Sequence, residues 1–177
     1  MDLSAISILI KTTVTHTVTY FVVGLVVFKV FDYPHLLGET GFRYFMRPTT
    51  DLRVRVGMLF QPLRGVIMGI AFVILKQTFF TQSNGWLLIW ITLLCLSILG
   101  TFGPTLASIE GMAFSKIPLR TQLIGFPEIL TQSFLLSFII FHWVRSPELK
   151  WLSTTMWTLF VLALTVPILA LFIKRTK

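Results

Sequence analysis

The chain has 177 residues, 55% of them hydrophobic and 12% charged, with a mean hydropathy of +0.84, where a soluble domain carries about a quarter charged residues. That composition excludes a water-soluble globular protein. Fifteen Lys and Arg against seven Asp and Glu give a net charge of +8, but the basic residues lie in loops between apolar runs, which points to bilayer orientation and anionic lipid headgroups and away from nucleic acid.

Five apolar runs are near or above the ~20 residues that a helix needs to cross a ~30 Å hydrocarbon core: 8–30, 56–75, 86–106, 122–144 and 151–173. The expected fold is an all-α integral membrane bundle of five transmembrane helices, a single membrane domain over 1–177. The first run follows Met1-Asp2-Leu3-Ser4, which has an acidic residue where a signal peptide would carry its basic region, so this helix is expected to be retained. Thr12, His16 and Thr19 share one of its faces, and the plain reading of His16 is a satisfied packing histidine. A sharper reading pairs His16 with His142 of the fourth run as axial ligands of a haem. Nothing else in the sequence indicates a cofactor or a metal.

The connection 31–55 interleaves Arg43, Arg47, Arg53 and Arg55 with Tyr33, Phe42, Tyr44 and Phe45, the pattern of an amphipathic juxtamembrane segment. In the second run Gly57, Gln61, Gly65 and Gly69 recur every four residues with Arg64 beside them, a small and polar face that lets a neighbouring helix approach closely. The third run holds Cys95, the single cysteine, so an intrachain disulfide and a thiolate metal site are excluded. The connection 107–121 follows Gly103-Pro104 and carries Glu110; it reads as a surface loop or a short re-entrant piece. In the fourth run Gln122, Gly125, Glu128 and Gln132 fall on one side of a helix, and the two polar faces are expected to meet. Pro62 and Pro127 are expected to kink their helices and free the carbonyls of Met58 and Leu123.

With five crossings, ten basic residues lie on one side and four on the other, Arg64 being within the membrane. The excess places the N-terminus outside and the C-terminus in the cytoplasm. Trp86, Trp143 and Trp151 then mark the outer ends of their helices.

A charge at membrane depth costs about 2.5 to 3.5 kcal/mol on insertion scales, so Arg64 and Glu128 are expected to pair. Gln61, Arg64, Glu128 and Gln132, with Glu110 toward the cytoplasm, form the candidate binding cluster, and Gly57, Gly65, Gly69 and Gly125 the candidate packing positions. Phosphate-loop, dinucleotide, zinc-protease and serine-hydrolase motifs are all missing. The leading functional expectation is transport or permeation of a small polar or anionic solute, in a homo-oligomer or with other membrane subunits. The alternatives are a non-catalytic subunit or assembly factor docking other helices through the glycine stripe, and a membrane enzyme using Glu128 or Glu110.

Overall fold

The structure, a computed structural model, describes residues 3–32, 47, 51–99, 105 and 107–172, apart from the side chains at 55 and 170–172. They form α1 (Ala5–Val30), α2 (Leu52–Arg55), a 3-10 turn (Gly57–Phe60) running into α3 (Gln61–Ile74), α4 (Lys76–Phe80), α5 (Gly85–Ile98), α6 (Ile109–Phe114), α7 (Leu119–Leu123), α8 (Gly125–Arg145) and α9 (Lys150–Phe172). No strand occurs among the described residues. This is an all-α membrane bundle with four helical stretches long and apolar enough to cross: Ala5–Val30, Gly57–Ile74, Leu119–Arg145 and Lys150–Leu169.

The third expected crossing, 86–106, is described as a shorter helix. α5 has 14 residues, about 21 Å at ~1.5 Å per residue, against the ~30 Å of a hydrocarbon core. Beyond it Ala107 has φ 61°, a left-handed conformation that no continuous helix of L-residues accommodates. Ser108 then caps a new helix, its Oγ accepting from the Gly111 N–H at 2.9 Å. The connection 107–121 is therefore built from two short helices, α6 and α7. Most of the expected juxtamembrane segment lies outside the described residues, as do 100–104 and 106.

α1 is the central element, packed by α3, α8 and α9. Its residues from Thr12 to Thr19 are buried except Thr13, which is half-buried. Several of the hydroxyls bond back to their own helix, Thr13 Oγ1 to the Leu9 carbonyl at 2.8 Å and Thr17 Oγ1 to that of Thr13 at 2.8 Å, so a polar sequence is tolerated in an apolar setting.

The glycine stripe on α3 faces α1, which corrects the expectation that it meets the fourth run. A Cβ added to Gly65 would lie 2.7 Å from Thr13 Cα, and one on Gly69 2.8 Å from Leu9 Cδ1. Small residues set how closely a neighbour approaches but not which neighbour it is. Gly57 has open space around its Cβ position, and Gly125 is buried at the start of α8.

The prolines also differ from expectation. Pro62 and Pro127 lie in the first turns of α3 and α8, where a backbone N–H has no intrahelical partner to lose. The Met58 carbonyl, expected to be free, accepts from the Gln61 N–H.

Gln122, 1% exposed, fastens the α6–α7 hairpin. Its Nε2 donates to the Gly111 carbonyl at 2.8 Å, to Ser115 Oγ at 3.0 Å and to the Ile117 carbonyl at 3.2 Å. At the opposite end of α8, Lys11 Nζ donates to the Trp143 carbonyl at 3.0 Å and Arg145 Nη1 to the Gln82 carbonyl at 2.9 Å. Beneath them Phe80, Ile89, Ile140 and Val144 form an apolar core.

Asp51 caps α2, its Oδ1 accepting from the Arg53 N–H at 2.8 Å while Oδ2 pairs with Arg47 at 3.2 Å. The Arg53 backbone N–H, with Arg47 beside it, holds this carboxyl below its ordinary pKa. A depressed carboxylate adds stability that is present above its unfolded pKa and lost as pH falls through the folded value. We expect the Arg53 amide resonance to titrate with a midpoint below the ordinary Asp range of about 3.9, and Asp51→Asn to remove the step.

Candidate functional site

The site is built where the start of α3 crosses the middle of α1. Gln61 is 5% exposed, and its amide is fully engaged. Nε2 donates to the Gly57 carbonyl at 3.3 Å, while Oε1 accepts from Arg64 Nη1 at 3.5 Å and faces His16 Nε2 at 3.3 Å. Because arginine can only donate, Oε1 must be the atom facing it. His16 therefore carries its proton on Nε2, leaving Nδ1 as an acceptor. That Nδ1 is buried with no hydrogen-bond partner among the described residues, as are the hydroxyls of Thr12 and Thr15.

Arg64 turns toward the N-terminal end of α3, the direction in which helical side chains lean. Its guanidinium lies 5.9 Å from the centroid of the Tyr20 ring, within the range of a cation–π contact. Tyr20 stands one turn beyond His16 on α1, with the two ring centroids 6.2 Å apart. The expected direct ion pair with Glu128 is not formed; Arg64 makes no carboxylate contact among the described residues. α1 takes the place beside α3 that was expected for the fourth run.

The structure thus brings Gln61 and Arg64 together, with His16 and Tyr20 as further members. Glu128 sits in the first turn of α8. Gln132 and Glu110 are half-buried on α8 and α6 and make no described contact with the cluster. The two histidines have separate surroundings: the His16 ring is taken up with Gln61 and Tyr20, whereas His142 lies against Phe138 at 4.4 Å and Phe141 at 5.3 Å between centroids. No group of three or more His, Cys, Asp or Glu side chains able to hold a metal comes together among the described residues.

Two clefts open on the bundle. One, of about 360 Å³, runs between α1 and α8 and is lined by uncharged residues including Val23, Val27, Pro127 and Thr131. The other, of about 420 Å³, lies between α3 and α5, with walls from Ile67, Ala71, Phe72, Thr92 and Leu96 and with Arg64 on its rim. The chain matches no protein-family model, no curated protein and no solved structure.

Chemically, the cluster suits an anion. A guanidinium offers five donors in a planar fork, of which Gln61 takes one, and Arg64 is exposed. Tyr20 was missed in the sequence, which held no sign that Gln61 would bond His16 or that Tyr20 would meet Arg64.

Proposed function

We propose that this chain is a multi-pass membrane protein that binds and moves a small polar or anionic solute at the Gln61–Arg64 cluster, with its N-terminus outside and its C-terminus in the cytoplasm. The observation that supports this reading is Arg64, an exposed cation within a helix long and apolar enough to cross the membrane. Its charge is held by Gln61 and Tyr20 without a described carboxylate contact, so it is available to an anion. A cation placed there costs insertion energy, and recognition of an anionic group offsets that cost.

The subunit reading in its original form relied on the glycine stripe as a docking face, but Gly65 and Gly69 are occupied by α1. The enzyme reading gains no constellation from the fold. Association with a second copy remains part of this proposal, since the cluster opens on the side of the bundle.

Purified protein reconstituted in vesicles tests the reading through solute-driven swelling with a series of organic anions. Arg64→Gln is expected to accumulate and elute like the unmodified protein yet lose at least tenfold in anion flux, with Arg64→Lys intermediate. Equal flux in Arg64→Gln and the parent removes the proposal.

A further inference from the structure

The cleft between α3 and α5 has the form of a site for an amphiphile. Its walls are apolar, from Ile67, Ala71 and Phe72 on one side and Thr92 and Leu96 on the other, and among the described residues Arg64 alone supplies charge to its lining. Ala71 and Leu96 are exposed and Phe72 buried, so the floor is packed while the mouth opens sideways. From Phe79, at the far end of the lining, to Arg64 the cleft follows the length of α3 and α4. Its volume falls in the range of about 300 to 1,000 Å³ common to ligand sites.

We infer that this cleft binds an anionic membrane lipid, with an acyl chain along the α3–α5 walls and the headgroup phosphate on the Arg64 guanidinium. Charge complementarity selects this occupant. A water-soluble anion has no use for the apolar walls, and a zwitterionic lipid meets Arg64 with no net charge. The guanidinium fork matches two phosphate oxygens at once. The basic excess of the chain favours anionic lipids in the surrounding leaflet as well. The inference rests on the transport reading in sharing Arg64 as the anion-recognising group, and it makes the moved species a lipid that enters from the bilayer.

Native mass spectrometry of the full chain, released from detergent with equal amounts of phosphatidylglycerol and phosphatidylcholine, tests it. The expected result is retention of phosphatidylglycerol over phosphatidylcholine by about tenfold, reduced to parity in Arg64→Gln. A second variant, Ala71→Phe, fills the mouth of the cleft from an exposed position without touching Arg64 or the packed floor, and is expected to lower retention of both lipids. Equal retention of the two lipids by the parent, or selectivity unchanged in both variants, overturns the inference. The swelling assay separates the two readings. If Ala71→Phe keeps organic-anion flux while the parent shows no lipid selectivity, the lipid inference falls and transport stands; if Arg64→Gln keeps flux but loses lipid selectivity, the lipid site stands without solute transport.

Discussion

Gly65→Leu is expected to abolish the folded bundle. The first carbon of any side chain at this position would lie 2.7 Å from Thr13 Cα and 3.0 Å from the Thr13 carbonyl oxygen. Overpacking in a core costs about 1 to 3 kcal/mol when neighbouring side chains can shift. Here the obstacle is backbone, and α1 is packed by α8 and α9 as well as α3, so relief requires moving the central helix against its other neighbours. The cost should exceed that range. Fluorescence-detected gel filtration of the detergent-solubilised variant should show aggregate in place of the monodisperse peak. Gly57→Leu is the matched control, since nothing lies within 4 Å of its Cβ position, and it should elute as the parent does. A monodisperse Gly65→Leu protein with parental thermal stability would contradict the α1–α3 contact.

The same glycine shows how far the sequence could be read. Four-residue spacing of Gly57, Gln61, Gly65 and Gly69 identifies a helix face without bulk, and the structure uses Gly65 and Gly69 as close-approach positions. Which helix fills that face is decided elsewhere, by the threonine-rich middle of α1, where the Thr13 and Thr17 hydroxyls bond to their own backbone. Span lengths and the all-helical class follow from hydropathy, a local property. The short α5 does not, because the apolar run 86–106 extends past Leu99, where the described helix ends. The prolines were misjudged for a related reason: helix starts in the middle of an apolar run leave no hydropathy signal, so Pro62 and Pro127 looked interior when they stand in first turns. Gln122 resembled a member of the polar stripe with Gly125, Glu128 and Gln132, yet its amide nitrogen is spent on carbonyls and a hydroxyl of its own loop. Arg64 was recognisable as exceptional from its depth alone. Its contact with Tyr20 was not, since Tyr20 comes from a helix whose contact with α3 no periodicity specifies.

Substitution of Gln61 separates what the cluster does for folding from what it does for an anion. In Gln61→Leu the shared acceptor disappears, leaving the His16 Nε2–H buried without a partner beside an Nδ1 that already has none, and the Gly57 carbonyl loses its amide donor. Buried groups stripped of a hydrogen bond cost about 1 to 3 kcal/mol each, so a loss of roughly 2 to 4 kcal/mol is expected, read as a lower midpoint in thermal aggregation. Gln61→Glu has the same shape and a different balance. One carboxylate oxygen faces the Arg64 guanidinium and the His16 N–H where the amide oxygen stood, and a negative charge in the first turn of α3 is favoured by the helix dipole. The other oxygen replaces the donor to the Gly57 carbonyl and repels it, so the midpoint should fall by less than in Gln61→Leu. With its charge matched inside the protein, however, Arg64 should no longer recognise an external anion, and both anion flux and the preference for phosphatidylglycerol should fall at least tenfold. Were the cluster only a packing device, the glutamate variant would keep flux and lipid preference; a folded protein that has lost both assigns the Arg64 guanidinium to anion recognition.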